Sequence, residues 1–368
     1  FELPDGVWLI NSGRYRPDAL CCYSFLNDTQ RLAAKQALEE EISVECDRAI
    51  GCLLGLLVGD ALGAPLEFHP VRYPQAHAVQ TPSPGKKGSQ VKQVKQRKAS
   101  KDMSSRESVQ TEAGTEAEVS AGFDPALWDN KSDMRETNRF LLEMGQWTDD
   151  TAMALCLSDS LLQHRGFHPR DLRLRFLAWW TLGYNNAFGR DKGRAAVWGS
   201  AESIGLGGII GDSLKEFSMM PADYTKTGSL HSNGNGTVMR NAPVAIMYRH
   251  DVKAAMDVAC RQSKTTHQGD EAADCARLLT WICVRAMSEG KAILKDLEGF
   301  DARLYSTKCL AASLQEERHI ENKGMELEER NWNWRHESWQ YAAARVAEHP
   351  GYAGSYCMDC LAMALHCV

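Results

Sequence analysis

Apolar positions along this chain recur with a helical period, and strand-like alternation is hardly visible anywhere. Over 45–66 the pattern is apolar nearly all round, with small residues at Ala49, Gly51, Gly55, Gly59 and Gly63. All-round apolarity predicts a helix central in a large core, and small residues let neighbouring helices approach closely. From 147 onward the helical pattern returns repeatedly. It predicts helices over 151–163, 169–182, 195–204, 239–248, 252–264 and 270–288, with a further pair over 302–317 and 339–347. The expected fold is all-α: a compact orthogonal multi-helix bundle with a long disordered insertion.

The insertion is where the pattern breaks, over 80–122. Pro82, Pro84 and Gly85 precede seven basic residues between Lys86 and Lys101 with no acid among them. Acids and Ser, Thr and Gly then dominate to Gly122, and no aromatic appears before Phe123. Such a segment cannot bury a core, and its basic run reads as a solvated loop or as a patch for an anionic surface. Residues 1–45 carry turn signals and one charged helical stretch and read as a peripheral N-terminal extension. The domain organisation is then an extension over 1–45 and one helical domain over 46–368. The Trp332-Asn333-Trp334 run with Trp339 reads as a packed helix face or a core-anchored loop, with adenine stacking as the alternative.

Composition narrows the classes. The chain has 368 residues, 43% hydrophobic, with a net charge of −6. That excludes a dedicated nucleic-acid binder. No apolar run reaches the ~20 residues that span a bilayer; the longest, over 49–59, stops at Asp60. The start shows no secretory signal, and it is Phe1 rather than Met, so the true N-terminus is expected upstream. Cys52, Cys156, Cys260, Cys275 and Cys283 lie inside apolar helical patterns and read as small buried hydrophobes. Cys357-x-x-Cys360 is a lone pair, which is weak support for zinc. Reduced thiols and a cytoplasmic location are the expectation.

Four polar junctions lie at predicted helix ends. The first, Gly59-Asp60-Ala61-Leu62-Gly63 with Glu67 downstream, puts carboxylates at the rim of the core; the alternative is Asp60 satisfying local backbone donors with Glu67 solvated. The second is Thr148-Asp149-Asp150-Thr151. Adjacent carboxylates repel each other and resist burial without a cation, which a hard divalent metal would supply. The alternative is Thr148 as an N-cap with both acids in a first turn. The third, Asn233-Gly234-Asn235-Gly236 ahead of Met239-Arg240, reads either as a positive-φ backbone nest for diphosphate or as an ordinary Asn-Gly turn. The fourth, Thr266-His267 ahead of an apolar helix, reads as a site histidine or a cap.

Taken together and in this order, the four junctions resemble the ADP-ribosylglycohydrolase family, the dinitrogenase-reductase-activating glycohydrolase type. The resemblance runs from about Ile50 to the end, outside 80–122. It implies an all-helical hydrolase that cleaves the glycosidic bond joining ADP-ribose to a modified side chain, with two Mg²⁺ or Mn²⁺ ions in its cleft. By that similarity Thr148, Asp149 and Asp150 ligate metal and Glu67 is the mobile carboxylate near the scissile bond. Glu67, Asp149 and Asp150 form the catalytic set; Asn233, Gly234, Asn235, Gly236, Met239 and His267 hold substrate. The partner is an ADP-ribosylated protein or a small ADP-ribose conjugate, with no membrane and no specific nucleic acid.

One departure qualifies the resemblance. The family carries a second metal motif after a helix that looks like 356–366, and this sequence stops at Val368 before that motif. The expectation is a fragment of a longer product that lacks about half the metal ligands, binds metal weakly and turns over little. The alternative is a non-catalytic ADP-ribose-binding or structural relative.

Overall fold

The computed structural model describes residues 42–66, 140–188, 203–290 and 355–367, with isolated positions at Thr29, Leu32 and Gln36. Glu67, the 80–122 segment, the predicted helices over 302–317 and 339–347, and the Trp332–Trp339 region lie outside the described residues. So does most of the predicted 195–204 helix, whose last two residues, Ser203 and Ile204, are not helical. Among the described residues there are eight α-helices and no strand. They are α1 (Val44–Gly63), α2 (Asp149–His164), α3 (Pro169–Leu182), α4 (Gly208–Met219), α5 (Ala242–Met247), α6 (Val252–Lys264), α7 (Asp270–Glu289) and α8 (Cys357–Cys367). The all-α expectation holds. None of these helices is long and apolar enough to cross a membrane.

Local chemistry explains the helix limits. Ser43 caps α1 by accepting from the Cys46 amide, with Glu45 and Asp47 in the first turn. Pro169 opens α3 behind the His168 cap, and Gly183 closes it at φ 73°. Asp251 caps α6 through the Ala254 amide. At the other end of α7, Arg48 of α1 donates to the Met287 and Ser288 carbonyls. A cation there satisfies orphan carbonyls and complements the helix dipole.

The main core joins α2, α3 and α4 around Met153, Leu157, Phe176, Trp179, Leu214 and Phe217, all fully or almost fully buried. A second core joins α7 to α8 through Cys275, Leu278, Trp281, Met358 and Leu361. Helix α7 makes its broadest contact with α6 and also touches α1, α5 and α8.

Three expectations need correction. Helix α1 is not central: Ala61 is its one buried residue, and Leu54 and Val58 are 54% and 45% exposed. It rests one side on α2, α5 and α7, while the other side faces away from the described residues. The 239–248 helix is shorter, Ala242–Met247, because a 3-10 turn over Asn235–Thr237 precedes it and Pro243 fits only a first turn. Helix α4 was not expected at all. Its apolar positions Ile210, Leu214 and Phe217 are helically spaced, but Gly205, Gly207 and Gly208 hide its start.

Candidate functional site

The Thr148–Asp150 turn opens α2 and is braced from α1. The Asp60 carboxylate accepts from the Thr148 amide at 3.1 and 3.0 Å, from the Thr148 hydroxyl at 2.6 Å and from the Thr151 amide at 3.0 Å. Thr148 occupies the N-cap position, yet its side chain makes no capping bond to its own helix. Asp60 does that work across the helix pair, satisfying amides that would otherwise be orphans. Because the Thr148 proton points at Asp60, the hydroxyl lone pairs are left for another partner.

Asp149 is 9% exposed and lies against Gly205. A Cβ on Gly205 would sit 2.0 Å from Asp149 Oδ1, and Gly205 has φ +84°. Only glycine fits this place, on both counts. Asp150 lines a cavity of about 650 Å³ walled by α1, α5, α7 and α8. Val238, Met239, Leu279, Ile282, Leu361 and Leu365 make much of that wall.

Cys360, on α8, connects this turn to the Asn-Gly loop. Its thiol lines the same cavity, faces the Asp150 charge and hydrogen-bonds the Asn235 carboxamide. Burial, then Asp150, pushes it up to about 11. A thiol so held is protonated at neutral pH and is no thiolate nucleophile.

The Asn-Gly loop is built differently from the positive-φ nest. Neither Gly234 nor Gly236 has positive φ; Gly234 sits at φ −68°, ψ 159°. The Asn235 amide donates to the Ser355 carbonyl at 3.0 Å, so it is not offered to a ligand. Glycine is needed here for space. A Cβ on Gly236 would lie 2.7 Å from Ile210 Cδ1 and 3.3 Å from His267 Cε1, and one on Gly234 would lie 3.2 Å from His267 Nε2. Asn233 acts as a cap: its Oδ1 accepts from the Ala272 amide in the first turn of α7, and its carbonyl accepts from the Cys357 amide at the start of α8. Gly269 is glycine because a Cβ there would meet Asn233 Oδ1 at 1.8 Å. One loop thus fixes two helix starts.

His267 is 1% exposed. Its Nδ1 is 2.8 Å from the Thr266 hydroxyl, which accepts from Arg240 Nη2, also at 2.8 Å. Arg240 is fully buried, stacked over Phe176 and bonded to Gln262 Oε1 and the Gln262 carbonyl. Burial pulls the guanidinium down to about 9, so it stays charged at neutral pH. Burial first, and then the Arg240 and Lys264 charges, pull His267 down to about 3. His267 is therefore neutral.

The described candidate residues are brought together as one connected wall. It runs from Asp60 through Thr148, Asp149 and Asp150 to Cys360, then through Asn235 and Gly236 to His267. Met239 joins it along the cavity. The sequence reading gave Asp60 as a rim carboxylate or a partner for local backbone donors, and quoted Arg240 and Thr266 inside the motifs without giving them a role. It read Cys360 only as half of a CxxC pair. Arg240 adjoins Met239 and Thr266 adjoins His267, which was the available signal; Asp60 and Cys360 adjoin no chosen residue in the chain.

The family follows from comparison. The ADP-ribosylglycohydrolase family model matches residues 41–368, and the chain belongs to that family. Among curated relatives, ADP-ribosylarginine hydrolase Tri1 of Pseudomonas putida (strain GB-1) is 30% identical over 63% of this chain and 45% of its own length. The protein of the same name from Serratia proteamaculans (strain 568) is 23% identical over 65% of this chain and 47% of its own. ADP-ribosylhydrolase ARH3 of Danio rerio is 34% identical over 28% of this chain and 25% of its own. The chain spans about half the length of the first two relatives. A solved chain described as "ADP-ribosylglycohydrolase-related protein complex" covers 67% of this chain and 58% of its own, at 25% identity and a TM-score of 0.41.

Proposed function

We propose that this chain carries the cleft of a metal-dependent hydrolase that removes ADP-ribose from a modified side chain by cleaving its glycosidic bond. The observation that carries the reading is the Asp60 brace. It engages the Thr148 and Thr151 amides with the chain's own carboxylate and leaves an acidic turn beside the cavity. A helix start of that kind suits a cation better than an anion.

The donor set fits Mg²⁺ or Mn²⁺. Asp149, Asp150 and the Thr148 hydroxyl supply hard oxygens, and Mg²⁺ takes one or two carboxylates while keeping water. Among the described residues no three His, Cys, Asp or Glu side chains gather closely enough to cage an ion. The remaining ligands of the two ions would come from water, substrate or other residues. When bound, such ions fix ribose hydroxyls and polarise water.

The chain's own residues do the rest. Glu67 serves as general acid or base as charge develops at the ribose anomeric carbon. Gly234, Asn235, Gly236 and His267 form the wall against which ADP-ribose lies, with Met239 as its apolar side. Asn233 holds that wall in place through its two caps. The names of the Tri1 relatives support an ADP-ribosylated protein, with arginine as the modified residue. Eight cysteines among the described residues are free, which fits a reducing compartment such as the cytoplasm.

The test is calorimetric titration of ADP-ribose into the chain with and without Mg²⁺, alongside release of ADP-ribose from an ADP-ribosylarginine peptide. Metal-dependent binding with release supports the hydrolase. Binding that ignores metal, without release, points to a recognition module. No binding in either condition overturns the reading.

A further inference from the structure

The Arg240–Thr266–His267 chain leaves little freedom for its protons. Arginine has five N–H donors and no acceptor. The 2.8 Å contact from Arg240 Nη2 therefore makes Thr266 Oγ1 an acceptor. A hydroxyl carries one proton, and the only other hydrogen-bond neighbour of Thr266 Oγ1 among the described residues is His267 Nδ1, at 2.8 Å. If Nδ1 carried a proton it would donate to that oxygen. The Thr266 proton would then be buried with no acceptor, at a site that is fully inaccessible. Leaving an enclosed donor unpaired is costly; Thr266 is wholly enclosed, whereas His267 Nε2 is not among the fully buried atoms that lack a partner and can meet water or ligand, so the hydroxyl proton goes to Nδ1. In a neutral imidazole the other nitrogen must then hold the N–H.

We infer that Arg240 and Thr266 are positioning residues that lock His267 in the neutral Nε2–H tautomer, so that it offers the site a hydrogen-bond donor for an acceptor oxygen of the ligand. The donor faces the Asn-Gly loop. Nε2 is the atom that a Cβ on Gly234 would meet at 3.2 Å, and it makes no hydrogen bond among the described residues. Its burial and the charge of Arg240 keep the ring from taking a second proton. His267 therefore cannot serve as the base of the reaction. It is a fixed donor for a phosphate or ribose oxygen, and Gln262 and Phe176 hold the guanidinium that fixes it.

The ligand class in this inference rests on the proposed function; the tautomer does not. Long-range proton–nitrogen spectra of the ¹⁵N-labelled chain near pH 7 read it without ligand, with His267 assigned by difference from His267→Gln. The expected result is an unprotonated, pyridine-type Nδ1 and a protonated, pyrrole-type Nε2. A protonated Nδ1 in the wild-type chain overturns the inference. Thr266→Val removes the hydroxyl and should release the lock, giving mixed tautomers, while Thr266→Ser should restore the single form. An unchanged spectrum in Thr266→Val would also overturn it. In ADP-ribose titrations, Thr266→Val should weaken affinity about tenfold and Thr266→Ser should recover most of it. If Thr266→Val binds as well as Thr266→Ser, the donor role is wrong. If the wild-type chain shows the expected tautomer and ignores ADP-ribose, the functional reading fails while the lock stands.

Discussion

The acidic turn at the start of α2 and the histidine wall beside the Asn-Gly loop are braced by side chains of opposite sign. Asp60 reaches the turn from α1 and can only accept, so all it touches must donate: two amides and the Thr148 hydroxyl. Arg240 reaches the wall and can only donate, so Thr266 must accept and hand its own proton to His267. Each brace sets the polarity of what remains. The anion consumes donors and leaves oxygen lone pairs, which suit a cation. The cation consumes an acceptor and leaves an N–H, which suits a phosphate or hydroxyl oxygen. The proposed cleft for a metal-bound nucleoside diphosphate sugar would need both, and the two braces are one buried cation and one half-buried anion.

The largest expected effect separates the two regions. Gly205→Ala would force a Cβ to 2.0 Å from Asp149 Oδ1 at a backbone φ of +84°. Asp149 must move, and displacing a positioned group by about 1 Å costs on the order of 100-fold in rate. The expected outcome is loss of Mg²⁺-dependent hydrolysis, read as kcat/KM on an ADP-ribosylarginine peptide, with the His267 ring spectrum unchanged. A change at His267 instead would mean that the two regions are not independent.

Asp60→Ala comes next and tests the brace itself. Three donors lose their acceptor, and α2 loses the cap that Thr148 does not supply. A destabilisation of about 2–3 kcal/mol is expected in denaturant titration. Asp60→Asn keeps one acceptor oxygen and should fall between. Equal stability of Asp60→Ala and the wild-type chain would show that water caps α2 equally well.

On the histidine side the corresponding break is Gly236→Ala. Its Cβ would meet Ile210 Cδ1 at 2.7 Å and His267 Cε1 at 3.3 Å. Overpacking of this kind costs about 1–3 kcal/mol. Gly234→Ala, whose nearest atom is His267 Nε2 at 3.2 Å, should cost less and act chiefly on ADP-ribose affinity. If Gly234→Ala proves the more destabilising of the two, the loop is held by the histidine rather than by Ile210.

The sequence made the helices and the polar junctions readable for a common reason: both are local. Periodicity marked 169–182 and 252–264 at the limits that α3 and α6 take, since Pro169, Gly183 and Asp251 announce them. What it could not convey was which junctions meet. Asp60 looked like a rim carboxylate because its donors lie 88 and 91 positions away. The Gly234 and Gly236 pair suggested positive φ, the commonest need for glycine, whereas the actual need is a histidine ring and Ile210 arriving from elsewhere. The cap that Asn233 makes was equally out of reach, because the α7 amide it caps is 39 positions distant. Helix α1 looked central because periodicity reports how apolar a surface is, not what covers it.

The last effect is a pH dependence that the histidine wall contributes through one group. His267 sits at about 3 in the folded chain, against an ordinary 6.5 when unfolded. Between those values the unfolded chain binds a proton that the folded chain refuses. Stability therefore rises with pH across this window and falls as pH drops from about 6.5 toward 3. The slope from this one group is at most roughly 1.4 kcal/mol per pH unit. Other histidines and the carboxylates titrate in the same range, so the informative quantity is the difference between wild type and His267→Gln in denaturant titrations at several pH values. Glutamine takes up no proton in either state. The wild-type chain should lose stability faster than the variant as the medium is acidified, and the difference between them should level off toward neutrality. A flat difference between about pH 6 and pH 4.5 would mean that folded His267 accepts its proton after all. The Arg240 brace would then not be what keeps that wall neutral.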